Sequence, residues 1–205
     1  MDKNTKKPAL RFKGFTDDWE QRKVESIAEQ FNGGGTPSTS RSEFWTGEIP
    51  WIQSSDLTEN ELFRVVPKKY ISSKAIDGSA TKLISGKSIA VITRVGVGKL
   101  AFMPYSYASS QDFLSLSKLS MDEKFTVYSL YKKLQSELHI VQGTSIKGIT
   151  KEELLAKVIM APKQTDEQRQ IGEFFRTLDH LITLHQRKVE KLQNIKKSCL
   201  EKMFI

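Results

Sequence analysis

The chemistry open to this chain begins with its cations. Between Arg64 and Gln111 lie eight basic side chains, Arg64, Lys68, Lys69, Lys74, Lys82, Lys87, Arg94 and Lys99, against the single acid Asp77, so this window alone is +7 in a chain of net charge +8. Residues 31–63 have the opposite sign: Arg41 stands against Glu43, Glu48, Asp56, Glu59 and Glu61, a net of −4. A cationic block inside a folded segment is the electrostatic footprint of a polyanion binder. Charge alone equally allows a solvated lysine-rich face.

Residue types that could support catalysis do not assemble into a set. Gly96-Val-Gly98-Lys-Leu-Ala101 matches a loose dinucleotide pattern. That pattern needs a following helix whose N–H groups meet a pyrophosphate, and Pro104 in Phe102-Met-Pro104-Tyr105 argues against one. The same stretch fails as a P-loop, because Thr93 stands where the first glycine belongs and Leu100 where the magnesium-binding hydroxyl belongs. A glycine-permitted β-turn is the preferred reading. Met103-Pro104-Tyr105 lacks the amide or acid and the second proline of the amino-methyltransferase signature, so the chain is not expected to transfer methyl groups itself. His139, His180 and His185 lack metal-ligand spacing, and no metal site is expected. No G-x-S-x-G elbow occurs. Asp17-Asp18 and Glu152-Glu153 read as a surface turn and a helix N-terminus.

These residues must be positioned by a fold, and the composition permits one. The hydrophobic fraction of 38% with 27% charged residues argues against bulk disorder. No apolar run approaches the ~18 residues of a membrane span, and the polar, basic N-terminus does not read as a secretory signal. The single cysteine, Cys199, allows no internal disulfide. By elimination, the expected location is the cytoplasm.

Residues 1–14 read as a flexible tail, 15–162 as a mixed α/β (α+β) globular domain, and 163–205 as a long helix. Trp19 to Phe31 suggests a short helix, ended by Asn32-Gly-Gly-Gly35-Thr-Pro37. Ile49–Ile52, Leu62–Val66, Ser88–Thr93, Lys99–Met103, Phe113–Leu116 and Val158–Ala161 read as strands, the third and fourth as a hairpin. Phe125–Leu138 has helical spacing. Gly143–Gly148 reads as a loop. Thr150-Lys-Glu-Glu153 and Thr165-Asp-Glu-Gln168 fit capping boxes.

From Ile171 onward an apolar seam recurs in alternating steps of four and three: Ile171, Phe175, Leu178, Ile182, His185, Val189, Leu192, Lys196, Cys199, Met203. Phe174, Leu181, Ile195 and Leu200 widen it. Heptad spacing sustained over this length calls for a partner helix, in cis or in trans. At ~1.5 Å per residue the helix would run ~55–60 Å, longer than the domain it leaves.

Several fragments together resemble a known family. Gly34-Gly35-Thr36-Pro37-Ser38, Phe44-Trp45-Thr-Gly47-Glu-Ile49-Pro50-Trp51 and Ser55-Asp56-Leu57 are followed by Arg94-Val-Gly96-Val-Gly98-Lys99, Ser110-Gln111-Asp112-Phe113 and Gly143-Thr144-Ser145-Ile146-Lys147-Gly148-Ile149. The tail adds Pro162, Glu167-Gln168, Phe174-Phe175, Leu178-Asp179, Lys196-Lys197 and Met203-Phe204, and Leu10–Phe15 with Trp19-Glu20 fits the opening. In this order they resemble a type I restriction–modification specificity (S) subunit, in a half-length form with one target-recognition domain and one conserved helix.

The resemblance implies a DNA sequence-specificity subunit, not itself an enzyme, that reads one half of a bipartite target. It implies double-stranded DNA, methyltransferase (M) and restriction (R) subunits, and a second half-S or a second copy as partners. No cofactor is expected in this chain; S-adenosylmethionine, ATP and Mg²⁺ would belong to the M and R subunits. Two helices packed antiparallel would make a two-fold dimer reading a palindromic split site.

Lys82, Lys87 and Lys99 are then the phosphate candidates. Arg94, Gln53 and Gln111 are the leading candidates for base readout, with Thr36, Ser38, Ser145 and Lys147 in glycine-bounded loops beside them. Trp45 and Trp51 fit core or loop anchors better than stacking platforms. Arg176, Arg187 and Lys191 are candidate contacts for an M subunit. Two other classes remain open: a coiled-coil interaction protein with no DNA role, and a small nucleotide-binding enzyme built on the Gly96–Gly98 loop.

Overall fold

A computed structural model describes residues 6–140 and 148–204. The fold is mixed α/β, with three small sheets and a 39-residue C-terminal helix, α4 (Thr165–Met203). A four-stranded antiparallel sheet forms the centre, in the order β2 (Ala28–Gly33), β8 (Phe113–Leu119), β5 (Ser88–Ile92), β6 (Leu100–Met103). A three-stranded sheet, β4 (Lys69–Ile71), β3 (Ile49–Ile52), β7 (Ala108–Ser109), lies beside it, and β1 (Glu20–Lys23) pairs antiparallel with β9 (Val158–Ala161).

Period-two alternation explains why the central sheet is covered on both faces. In β5 every residue is buried. Ile89 and Val91 join Leu114, Leu116 and Leu100 under α2 (Glu123–Ile140), which contributes Val127, Leu130 and Leu134. Ala90 and Ile92 face the opposite way, with Ala101, Met103 and Phe113, against Ile52, Leu57 and Tyr107 from the second sheet's side. The Tyr107 hydroxyl donates to Ser115 Oγ at 2.8 Å, and burial pushes its pKa up to about 12, so it stays a neutral donor. A third cluster, Phe44, Trp51, Ile71, Ala75 and Ala108, closes the three-stranded sheet over α1 (Ser73–Asp77).

Most of the segments read from the sequence appear. Ile49–Ile52 is a strand, the β5–β6 hairpin forms as expected, and Thr150 caps α3 (Lys151–Ala156) through reciprocal bonds with Glu153 of 2.7 and 3.1 Å. Three expectations fail. Residues 19–31 are not a helix: β1, a 3-10 turn over Val24–Ser26 and β2 occupy them, because sheet partners Val158–Ala161 and Leu114–Leu119 claim their backbone. Leu62–Val66 is a turn followed by an irregular stretch; the Leu62 carbonyl accepts from Phe102 N and the Val65 carbonyl from the Tyr105 hydroxyl, but no strand ladder forms. Helix α4 begins at Thr165 without a side-chain cap: Gln164 takes the N-cap position, Thr165 lies inside the helix, and Gln168, expected to close the box with Thr165, is committed elsewhere, as is its neighbour Glu167.

Those commitments fix the base of the long helix. Glu167, 1% exposed, accepts two bonds from the Arg11 guanidinium at 2.7 and 2.8 Å and one from Trp19 Nε1 at 3.2 Å. Residues 6–14, expected as part of a loose tail, are therefore tied down over this stretch: Trp19 N bonds Lys6 O at 2.8 Å and Phe12 meets Phe174 edge-on. Gln168 donates to Pro162 O and accepts from Asp122 N at the start of α2. At Gly172 the two helices approach so closely that a Cβ would stand 2.7 Å from Lys124 Cβ and 2.8 Å from Phe125 N. Tyr128 stacks on Phe175 and its hydroxyl donates to Asp179, while burial, and then this carboxylate, push its pKa up. Beyond Asp179 the helix runs free of the domain: Ile182, Val189, Leu192 and Met203 are 55, 52, 56 and 76% exposed. Cys199 is exposed as well.

Candidate nucleic-acid interface

Five connections meet at one end of the two larger sheets. They are the loop after β2 (34–38), the turn after β3 (53–56), the β5–β6 turn (93–99), the β7–β8 turn (110–112) and the residues leading into α3 (148–150). Backbone bonds stitch them together. Gly35 N bonds Ser109 O at 2.8 Å, Ser110 N bonds Ile52 O at 2.9 Å, Thr93 N bonds Asp112 O at 2.7 Å, and Ile149 N bonds Thr93 O at 2.7 Å. The glycine at 34 is demanded by this convergence, since a Cβ there would stand 2.0 Å from Ser110 O.

The sequence-predicted readout residues come together on this end. Thr36 Oγ1 donates to Gln111 Oε1 at 2.6 Å, and both are exposed. Gln53 Nε2 donates to Ser55 Oγ at 3.0 Å. Arg94 is exposed where β5 runs into its turn. The Ser38 hydroxyl pairs with Ser40 Oγ at 2.8 Å. Of the phosphate candidates, Lys99 lies here with Nζ 3.4 Å from Leu57 O. Lys82 is exposed next to Thr81, whose hydroxyl donates to Gly35 O at 2.9 Å. Lys87 does not join them. It precedes β5 at the other end, and its ammonium is 3.7 Å from the Glu123 carboxylate. Ser145 and Lys147 lie outside the described residues.

Two indoles hold the glycine loop in place. Trp51 Nε1 donates to Gly35 O at 3.0 Å and Trp45 Nε1 to Ser38 O at 3.1 Å, with the rings edge-to-face 5.2 Å apart. Lys69 sits over both, 5.6 and 5.7 Å from the centroids. The tryptophans thus act as loop anchors, as their setting in the sequence suggests. Part of the basic block is spent on internal contacts, Lys69 on the indoles, Lys87 on Glu123, and Lys68 3.9 Å from Asp56.

Two acids needed here were not singled out as site residues. Asp56, its side chain fully buried, accepts from Gln53 N at 3.0 Å and shapes the turn that carries Gln53. Asp112 accepts from Ser110 Oγ at 3.2 Å, and its carbonyl takes Thr93 N. Ser55-Asp56 and Ser110-Gln111-Asp112 were visible as motifs, but nothing in the sequence shows that the two turns touch. Arg176, a candidate partner contact, stacks over Phe63 at 4.8 Å and belongs to the helix base. Arg187 and Lys191 are exposed on the free part of α4.

Among the described residues the arrangement offers hydrogen-bonding side chains and cations. The Gly96–Gly98 turn leads into strand β6, so no helix N-terminus faces a phosphate there. Among the described residues no group of three or more His, Cys, Asp or Glu is placed to hold a metal, and no helix is long and apolar enough to cross a membrane.

Residues 16–194 match the family model of the type I restriction modification DNA specificity domain. Among curated relatives, the MjaIX specificity subunit of Methanocaldococcus jannaschii is 27% identical over 92% of this chain and 44% of its own length. The EcoR124I/EcoR124II specificity subunit of Escherichia coli is 30% identical over 74% of this chain and 39% of its own. The chain spans less than half the length of these relatives. Two solved structures share the fold at 18% identity. One, described as bearing on complex assembly of the type I R-M system, gives a TM-score of 0.67 over 93% of this chain and 47% of that one. The M. genitalium S subunit gives 0.62 over 96% and 48%.

Proposed function

Because the chain belongs to the type I restriction modification DNA specificity domain family, we propose that it is a non-catalytic module reading one half of a bipartite duplex DNA target. The observation that carries this reading is the convergence of Thr36, Gln53, Arg94 and Gln111 on one end of the domain, with Lys82 and Lys99 beside them. Arg pairs bidentately with guanine and Gln with adenine in the major groove, while lysines hold phosphates and fix register. Opening the Thr36–Gln111 bond frees an amide for a base edge.

The module works with methyltransferase and restriction subunits, which bring S-adenosylmethionine, ATP and Mg²⁺; this chain supplies only the address. Its relatives are named as specificity subunits of such enzymes. A base inside the stack cannot be methylated, so the methyltransferase partner flips it. The free portion of α4 is a spacer that pairs with a second helix of its kind and holds two recognition domains on separate half-sites. Such an assembly acts on DNA and is placed in the cytoplasm.

The test is binding of the chain, together with its methyltransferase partner, to a random duplex pool by fluorescence anisotropy. Wild type is expected to retain a sequence-dependent fraction at 150 mM salt. The R94A/Q111A variant should keep salt-dependent binding and lose sequence preference. An unchanged preference would reject this face as the reading surface, and no binding at any salt would reject the DNA role in favour of a purely protein-binding coiled coil.

A further inference from the structure

The seam of α4 contains two polar positions, His185 and Lys196, among apolar ones, and together they define how the helix can meet its own copy. In heptad terms Leu178, His185, Leu192 and Cys199 share one core position, and Ile182, Val189, Lys196 and Met203 share the other. A parallel pair aligns equivalent residues and puts the Lys196 ammonium against its own equivalent. An antiparallel pair matches the two core positions with each other, and three registers of comparable overlap exist, one heptad apart.

Only one of the three matches polar with polar. It sets His185 against the partner's Lys196, Val189 against the partner's Leu192, Ile182 against the partner's Cys199 and Leu178 against the partner's Met203. The flanks agree with it: Gln186 faces the partner's Gln193, Lys188 faces the partner's Ile195, and no like charges oppose. A shift of one heptad either way buries Lys196 against a leucine.

Local geometry prepares the polar layer. His185 Nδ1 is 3.1 Å from the Leu181 carbonyl, which can only accept, so Nδ1 carries the proton. In the neutral ring Nε2 is then an acceptor, and a lysine ammonium has donors only. The surface is also continuous with an existing interface. Helix α2 covers the seam at Phe175 through Tyr128, and the first layer of the proposed pair, Leu178 with the partner's Met203, begins one turn further on. Leu181, Ile182, His185 and Val189 line a shallow, mostly apolar concavity on the free helix.

Taking the antiparallel pairing of two such spacer helices as the premise, we infer that α4 meets a second copy of this chain in the register that sets His185 against the partner's Lys196. The inference rests on the spacer reading above and sharpens it to one distance. The two Gly172 positions, where the helices leave their domains, then stand about 37 helical residues, ~55 Å, apart; each alternative register changes this by ~10 Å.

Cys199, the only cysteine, allows a direct test. Wild type, F175C, I182C and V189C are oxidised with copper–phenanthroline and run without reductant, alongside sedimentation velocity of the unoxidised proteins. I182C is expected to give more than half covalent dimer, while wild type, F175C and V189C stay below a tenth. Efficient cross-linking of F175C or V189C instead would overturn the register and keep the antiparallel spacer. A wild-type Cys199–Cys199 dimer would overturn the orientation. A sedimenting dimer with no cross-link in any variant refutes the register alone, and a monomer at tens of micromolar refutes self-pairing itself.

Discussion

Gly172 is the point at which the domain dictates the direction of the long helix. In an exposed helix interior Gly→Ala stabilises by ~1 kcal/mol. Here the added Cβ would lie 2.7 Å from Lys124 Cβ and 2.8 Å from Phe125 N, whereas carbon atoms rest at about 3.5–4.0 Å. Helix α4 must therefore retreat from α2 by about 0.9 Å. Overpacking of this kind costs about 1–3 kcal/mol, so the helix-propensity gain is cancelled or reversed and Gly172→Ala should destabilise by about 0–2 kcal/mol, with Gly172→Val worse. The geometric effect is larger than the energetic one. With Gln168 held by Pro162 O and Asp122 N, the pivot lies ~6 Å from residue 172, so a 0.9 Å retreat tilts the helix by about 9°. Over the ~46 Å from Gly172 to Met203 this moves the far end by about 7 Å, near two base-pair steps of DNA. Urea denaturation gives the stability change. Electron–electron distances between spin labels at Cys199 and at an introduced cysteine replacing exposed Lys118 give the tilt. A Gly172→Ala protein more stable than wild type, with an unchanged label distance, would refute the claim that this contact sets the helix direction.

Trp51→Phe removes the indole donor from Gly35 O but leaves the Thr81 hydroxyl on it, so the loss in stability should be near ~1 kcal/mol, with a larger proportional drop in DNA affinity as the glycine loop loosens; calorimetry and anisotropy separate the two. Bonds from Thr150 backbone and side chain hold the Glu153 carboxyl below its usual range. Its folded pKa is depressed, so the cap's contribution is present above about pH 4.3 and is lost as pH falls through the lower folded value; carbon NMR should show a midpoint below that of ordinary glutamates, returning toward normal in Thr150→Ala. Lys99→Ala should weaken binding to every duplex alike and reduce the salt slope by about one ion, whereas Arg94→Ala should relax preference at one base position, by about ten-fold or more.

What the sequence makes legible follows from what is local. The alternation in Ser88–Ile92, the glycine turn before Lys99–Met103 and the Thr150–Glu153 cap are set by neighbours a few residues apart, and each forms as read. The heptad seam is local too, and α4 spans it. Residues 19–31 failed because their apolar spacing, Val24, Ile27, Ala28 and Phe31, suits a helix face, while pairing with strands more than eighty residues away wins their backbone. The second capping box failed for a related reason: Gln168 bonds Pro162 O and Asp122 N, the latter 46 residues distant, and so leaves Thr165 without its expected partner. At the interface, Thr36 and Gln111 could each be named from type and loop setting, yet their meeting across 75 residues belongs to the fold. Lys87 shows the converse, a cation of the right type in the right charge block that the topology carries to the wrong end.

The central claim is that this chain supplies the address for a split DNA target. The most direct measurement is selection from a random duplex library by the chain assembled with its methyltransferase partner, followed by sequencing of the bound pool. The expected result is two short defined blocks separated by an unspecified spacer of fixed length, mirror-related where two copies of this chain are present, with every block read by this chain lost in the R94A/Q111A assembly. A single contiguous motif, or a bound pool indistinguishable from the input, would contradict the account.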